Sequence, residues 1–396
     1  MVGRDRNRGF DYAERVEKIR RGMREEGLDA FVGTRLVSAG YVSGCFVPYR
    51  AAVYVPEDGD VCVYVSVIEQ ERLRDETWID DANVKAWIPQ DSMTWMEQVT
   101  TRIDADGYDG GRIGVEKGVS PRRLEGTLTH EEHRVLSECL EDSTELVDAR
   151  NVMNEAVAVK DDAEIDALRE AAGIVDEGME AALDDLEVGA TETEVVGAGE
   201  KRMRELGSTW NWPVPGGSEI SSGYRGAYSQ CGCTPPSNKE IEKGEFVMID
   251  LHSTYDLYYS DLAYNVVMGE PTDEQQELIN VFVDTAEFML DSVEPGVTMG
   301  ELTQKVTGKI SGTGYQKHVP PIFGHGIGTV GHDGYPLVSW VEPYSGVEFE
   351  EGMVQEMYLQ VNEPGTGGLR LELPVLVTAD GAERLTETPI EPEVRT

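Results

Sequence analysis

Leu186-Glu-Val-Gly-Ala-Thr-Glu-Thr-Glu-Val195 returns further along the chain as Val293-Glu-Pro-Gly-Val-Thr-Met-Gly-Glu-Leu302, with Gly189, Thr191 and Glu194 falling on Gly296, Thr298 and Glu301 (296 − 189 = 107). Both copies carry Thr-x-x-Glu, the capping box in which a hydroxyl and a carboxylate satisfy orphan N–H groups at the start of a helix. Each predicted helix runs out at a glycine, Gly207 and Gly314, at the same offset. Downstream, Gly244-Glu-Phe-Val-Met-Ile-Asp250 matches Gly352-Met-Val-Gln-Glu-Met-Tyr358 (352 − 244 = 108). Such self-similarity predicts a duplicated domain, two αβ halves facing each other across a pseudo-two-fold axis.

Chemistry-bearing residues collect inside this repeat. Asp250 ends the apolar strand Phe246-Val-Met-Ile249, and Asp261 follows in Tyr258-Tyr-Ser-Asp-Leu262 (261 − 250 = 11). A buried carboxylate is costly unless it is paired or bound to a cation, so two of them on adjacent apolar strands mark a candidate metal site. Their expected counterparts in the second half are Tyr358 and Glu372, the latter in Gly367-Gly-Leu-Arg-Leu-Glu372. Between the halves stands Gly324-His-Gly-Ile-Gly328, a histidine wrapped in glycines. Two aspartates, a glutamate and an imidazole suit a divalent transition metal such as Mn²⁺, Co²⁺, Fe²⁺ or Zn²⁺.

On these motifs the chain resembles the pita-bread metallohydrolases: Xaa-Pro dipeptidase (prolidase), aminopeptidase P, methionine aminopeptidase and the metal-free creatinase. The resemblance implies an α+β fold, with a pita-bread catalytic domain over residues 156–396 preceded by a smaller creatinase/prolidase-type α/β domain over 1–155. Methionine aminopeptidase lacks that N-terminal domain and is the poorer match. The resemblance further implies one or two divalent ions per chain. Asp250 would bind the first, Asp261 and Glu372 would bridge, and His325 would bind the second. His332 would contact the substrate, and Arg370 would support the site.

The chain departs from this pattern at two places. The remaining metal glutamate of the family falls on Tyr358, whose phenol must lose a proton of pKa about 10 before it can act as an anionic ligand. Tyr358 is the expected occupant. Glu356 lies two residues earlier and so on the same strand face, and Glu363-Pro-Gly365 offers a second candidate if the hairpin has shifted. The peptidases also carry a histidine upstream of the first aspartate, near Cys233 here, yet no histidine lies between 134 and 251. Cys233, Thr234 and Tyr228 are the polar candidates near that place. His252, two residues after Asp250, reads equally as an added ligand or as a strand-edge histidine. Trp210, Trp212, Pro213 and Pro215 suggest a pocket wall.

Outward from the site, residues 11–155 alternate helix and strand signals. These are an amphipathic helix over Tyr12–Glu26, a buried strand at Asp29–Thr34, a hairpin around Pro56-Glu-Asp-Gly-Asp60, and a strand at Arg112–Glu116 followed by a helix through about Leu140. A long amphipathic helix begins near Lys160. Five cysteines (45, 62, 139, 231 and 233) are odd in number and unevenly spaced, which suits a reducing compartment better than a disulfide framework. Cys231-Gly-Cys233 lacks the second pair that a zinc site needs.

The chain has 396 residues, 75 acidic against 34 basic, for a net charge of −41. That charge excludes nucleic acid as a partner, since phosphates are bound through lysine and arginine clusters. No apolar run approaches the roughly 20 residues that span a bilayer, and residues 1–12 lack the apolar stretch of a signal peptide. The expectation is a cytoplasmic homodimer acting on a small peptide or other small molecule. The leading reading is a metal-dependent hydrolase of Xaa-Pro type. The alternatives are a relative with altered creatinase-like or lyase-like chemistry, or a non-catalytic binding scaffold. Because the acids are scattered through every segment, they read as a surface adapted to concentrated salt. Dialysis from molar KCl into dilute buffer should then lower the melting temperature by several degrees, and a melting temperature indifferent to salt would contradict salt adaptation.

Overall fold

The structure, a computed structural model, describes residues 9–88, 94–118, 126–209, 217–228, 234–330 and 333–396. The chain divides into two compact units, one over residues up to Val157 and the other over Ala158–Gly328 and Asp333–Thr396.

The first unit is built on six strands: β1 (Ala30–Gly33), β2 (Ala52–Pro56), β3 (Cys62–Ser66), β4 (Val84–Trp87), β5 (Arg112–Val115) and β6 (Glu145–Asp148). They lie in the order β4-β3-β2-β1-β5-β6. The helices are α1 (Tyr12–Glu26), α2 (Leu36–Ser43), α3 (Gln70–Glu76), α4 (Thr94–Ala105), α5 (His130–Cys139) and α6 (Arg150–Ala158). Period-two alternation sorts the sheet's side chains into two cores. Phe31, Val53, Val55, Val63 and Val65 pack with α1, α2 and α6. Val32, Tyr54, Cys62 and Tyr64 pack with α4 and α5 on the other face. Glu116, fully buried just after β5, is satisfied by the Thr34 and Arg35 amides, the Arg35 guanidinium and the Ser38 hydroxyl.

The second unit opens with α7 (Asp162–Asp184) and α8 (Glu192–Glu205), followed by β7 (Glu219–Ser222), β8 (Phe246–Tyr255) and β9 (Tyr258–Met268). The second half runs α9 (Asp273–Leu290), α10 (Met299–Ile310), β10 (Ile322–Ile327), β11 (Asp333–Ser339), β12 (Val354–Glu363) and β13 (Gly367–Thr378). Two short strands close the chain, β14 (Gly381–Arg384) beside β13 and β15 (Glu393–Arg395) beside β9. The main path β11-β10-β12-β13-β9-β8-β7 places β13 and β9 at its centre, with β12 and β10 mirrored by β8 and β7. This is the duplicated pita-bread architecture. Both expected capping boxes form, Thr191 with Glu194 and Thr298 with Glu301. The repeat extends to backbone bonds outside the helices: the Gly189 amide donates to Ile241, and the Gly296 amide to Phe349.

Two sequence expectations need correction. Helix α10 stops at Ile310, not at Gly314; the chain turns at Gly312, whose φ is 89°. Strand register also shifts one counterpart. Asp250 faces Ala263 while Tyr358 faces Glu372, and His252 faces Asp261 while Gln360 faces Arg370. The residue equivalent to Asp261 is therefore Arg370 (370 − 261 = 109), and Glu372 is equivalent to Ala263 (372 − 263 = 109).

The two faces of this sheet differ in kind. Ile249 and Leu251, Leu262 and Tyr264, Met357 and Leu359, and Leu371 and Leu373 share a core with Val175, Met179, Val195, Phe282, Leu302 and Val306 of the four helices. Truncating one such leucine would cost about 2–5 kcal/mol. The opposite face carries the polar residues of the site. Gly324 lets β10 approach β12, since a Cβ there would sit 2.4 Å from the Glu356 carbonyl oxygen. Gly308, exposed on α10, has nothing within 4 Å of its would-be Cβ. Gly324→Ala should therefore destabilise by about 1–3 kcal/mol through overpacking against backbone, whereas Gly308→Ala should stabilise by up to about 1 kcal/mol through helix propensity. Denaturant unfolding of the two variants checks both signs.

Candidate metal centre

Residues directly opposite on neighbouring strands point to the same face, as do residues two apart on one strand. Applied across the second unit, this rule assembles one site from six strands. Glu219 of β7 faces Asp250 of β8, and Asp250 faces Ala263 of β9. Ala263 faces Glu372 of β13, which faces Tyr358 of β12. One step along, His252 faces Asp261, Gln360 faces Arg370, and His325 of β10 faces Glu356. The central joint is tied by Asn265, whose side-chain amide donates to the Arg370 carbonyl at 2.7 Å and accepts from the Arg370 amide at 3.0 Å.

Ligating atoms converge in two overlapping groups. Asp250, His252 and Asp261 form one, and Asp261, His325 and Glu372 the other, with the atoms of each group within 4.8 Å of one another. Arg370 pairs through Nη1 with Glu219 at 2.8 Å and with Asp250 at 3.0 Å, and through Nη2 with Glu372. His252 Nε2 lies 3.1 Å from Asp261 and 3.7 Å from Asp250. His325 sets Nδ1 against the Gly326 carbonyl at 3.3 Å. With that nitrogen protonated, Nε2 carries the available lone pair.

The charges on this face do not balance. Among the described residues, Glu219, Asp250, Asp261, Glu356 and Glu372 are all at most 5 % exposed, whereas the cationic side chains buried with them are Arg370 and His252, leaving a surplus of three (5 − 2 = 3). Taking ions out of water costs several kcal/mol each unless they are neutralised. The proton affinities record the conflict. Burial raises Glu372 well above the ordinary carboxylate value, with Arg370 only partly opposing. Glu356 is raised likewise by burial and by the charges of Asp261, Glu372 and Asp250. Burial lifts Asp261 to about 6 against the pull of His252. Asp250, although burial works against it, is kept low by Arg370 and then His252. Burial alone would lower His252, but Asp261 and Asp250 bring it to about 9.

The metallopeptidase family M24 pattern matches residues 166–379, and the creatinase/prolidase N-terminal domain pattern matches residues 15–156. The chain belongs to metallopeptidase family M24. Among its M24 relatives is the Xaa-Pro dipeptidase of Pyrococcus furiosus, 26% identical over 375 residues, which is 95% of this chain and 98% of that protein. The structure of the prolidase from Pyrococcus horikoshii OT3 is similar with a TM-score of 0.79 at 25% identity, over 95% of this chain and 99% of that one. The Xaa-Pro dipeptidase from Bacillus anthracis shares the fold at a TM-score of 0.79 and 24% identity, over 97% of this chain and all of that one.

Against this M24 frame, Asp250, Asp261, His325, Glu372, Arg370 and Tyr358 all lie on the polar face. Tyr358 donates its hydroxyl to Gln360, and its ring lies 5.5 Å from the Arg370 guanidinium carbon. Glu363 sits at the hairpin end of an unbroken β12–β13 register, seven residues from Glu356 (363 − 356 = 7), so it points to the other face and is no substitute. His332, Cys231, Cys233, Trp210, Trp212, Pro213 and Pro215 lie outside the described residues, as does the side chain of Tyr228. Glu219 was not anticipated. Its one signal is the alternation of Glu219 and Ser221 with Ile220, which marks a strand but not its neighbour.

The charge conflict has a measurable consequence for chelator-treated protein. A folded-state pKa above the unfolded value means that folding takes up protons, so the stabilisation is fully present below the unfolded pKa and is lost as pH rises through the folded one. Both Asp261 at about 6 and His252 at about 9 act in this direction. Between those two values the melting temperature of the chelated protein should fall as pH rises, and His252→Gln should flatten the upper part of the slope. A melting temperature that climbs across the same window would contradict the arrangement.

Proposed function

We propose that this protein is a metal-dependent hydrolase of Xaa-Pro peptides, with Asp250, Asp261, His325 and Glu372 holding one or two divalent transition-metal ions. The observation that carries this reading is the surplus of buried carboxylate around two overlapping ligand groups that share Asp261. The donor set fits the ion. Arg370 and His252 are the cations that pair with Asp250, Asp261 and Glu372 among the described residues, and a divalent cation would offset the carboxylate charge that these two leave uncompensated. Oxygen donors with one or two imidazoles suit Mn²⁺, Co²⁺, Fe²⁺ or Zn²⁺, of which Mn²⁺ is the first to test.

When bound, such a cation supplies Lewis acidity, polarising the scissile carbonyl and lowering the pKa of water. The chain's own residues have separate tasks. Asp261, common to both ligand groups, would bridge them. Glu372 would accept the proton of the attacking water, a role that suits a carboxylate whose proton affinity burial has raised. Arg370 keeps Asp250 ionised and ties β13 to β8 and β7. His332 would bind the substrate carbonyl. Proline has no N–H to donate, so the residue after the scissile bond would be recognised by shape. The reading includes a homodimer in the cytoplasm, where free Cys45, Cys62 and Cys139 would stay reduced.

With Mn²⁺ added, the wild-type protein should hydrolyse Xaa-Pro dipeptides. Asp261→Asn should lower kcat/KM by more than the roughly 10–100-fold that loss of a supporting residue costs, with an unchanged far-ultraviolet dichroism spectrum. An active, metal-replete Asp261→Asn variant would overturn the site assignment. Failure of the metal-replete wild type on every Xaa-Pro peptide would overturn the substrate.

A further inference from the structure

Strand β12 presents Glu356, Tyr358, Gln360 and Asn362 to the site, and the hydrogen bonding along this row is uneven. The Tyr358 hydroxyl donates to Gln360, and the Gln360 amide lies 3.5 Å from the Asn362 oxygen. Glu356 breaks the pattern. It is fully buried, and both of its carboxylate oxygens lack a hydrogen-bond partner among the described residues. Its cross-strand partner is His325. Side chains directly opposite on antiparallel strands begin within about 5.5 Å of each other at Cβ, so Glu356 reaches the same space as the His325 ring. The charges of Asp261 and Glu372, the other two members of the His325 group, act directly on Glu356.

A carboxylate kept in such a place has no evident structural use. Among the described residues it caps no helix, pairs with no guanidinium at contact distance, and makes no hydrogen bond that the fold would lose with an amide there. Its neighbours Gln355 and Met357 alternate to the other face, where Met357 joins the apolar core. What the position offers is a carboxylate on the strand position directly opposite His325, one member of a three-residue ligand group.

We propose that Glu356 is the fourth protein ligand of the divalent cation held by Asp261, His325 and Glu372, and that Tyr358 is not a ligand. This rests on the metallohydrolase reading above and makes it more specific: the anionic donor of β12 has moved two residues along one strand face, toward His325. The Tyr358 phenol is left to pack under Arg370 and to donate to Gln360, which requires it to keep its proton.

The test is Mn²⁺ stoichiometry and affinity by equilibrium dialysis with plasma mass spectrometry, on chelator-stripped full-length protein. The wild type and Tyr358→Phe should each bind two Mn²⁺ per chain. Glu356→Gln should bind one, with the second at least tenfold weaker. Because glutamine matches glutamate in size and replaces a carboxyl group that makes no hydrogen bond among the described residues, the chelated Glu356→Gln variant should melt no lower than the chelated wild type, which separates a lost ligand from a lost fold. Two Mn²⁺ retained by Glu356→Gln would overturn the role of Glu356 while leaving the hydrolase reading intact. A Tyr358→Phe variant reduced to one ion would overturn it in favour of the phenol. A wild type that binds fewer than two ions would overturn it as well, and one that binds none would take the metal-dependent function with it.

Discussion

Like charges crowded on one dry sheet face are the constraint around which the second unit is arranged. Glu219, Asp250, Asp261, Glu356 and Glu372 share that face with one guanidinium and one imidazole buried beside them. Neither water nor distance relieves their repulsion, so each carboxylate must be paired, protonated or bound to a cation. Arg370 takes three of them at once, reaching Glu219, Asp250 and Glu372 from the centre of the sheet. The rest of the unit makes this placement affordable: leucines and methionines on the reverse face supply the burial, and Asn265 ties the central strands at the point where Arg370 leaves the backbone.

Duplication built the scaffold, and divergence between the copies built the chemistry. Equivalent positions in the two halves read Asp250 and Tyr358, His252 and Gln360, Asp261 and Arg370, Ala263 and Glu372. At each pair the two halves differ in charge or in hydrogen-bonding capacity. The exchange of Asp261 for Arg370 is the most consequential, because it sets a fixed positive charge across the pseudo-axis from a cluster of negative ones. The fold is thus symmetric while its electrostatics are not, as a site binding an asymmetric substrate requires.

Much of this was legible in the sequence because the signals are local. Thr-x-x-Glu recurs at a fixed offset and forms its two capping boxes, and an aspartate directly after an apolar run announces a buried charge before any strand is paired, although β8 runs on past Asp250 to Tyr255. The glycines around His325 mark a close backbone approach, found at Gly324 against Glu356. What was not legible depends on pairing across strands far apart in sequence. Glu219 becomes a site residue only because β7 lies beside β8 in a register that sets it against Asp250. Sequence spacing likewise set Asp261 against Glu372, because offsets of 108 and 109 cannot be told from a shift of two until the hydrogen-bonded pairs are seen. Glu363 is excluded by the unbroken register of β12 and β13 for the same reason.

Protons and metal ions should compete for the same buried oxygens, and this competition is the centre of the account. The most direct test is calorimetric titration of chelator-stripped protein with Mn²⁺ near neutral pH, repeated in buffers of different ionisation enthalpy, which gives the number of protons released as the ions bind. Because burial raises the proton affinity of Glu356 and Glu372, and the aspartates bring His252 to about 9, proton release should accompany Mn²⁺ binding. Mn²⁺ binding without proton release, or no Mn²⁺ binding at all, would contradict it.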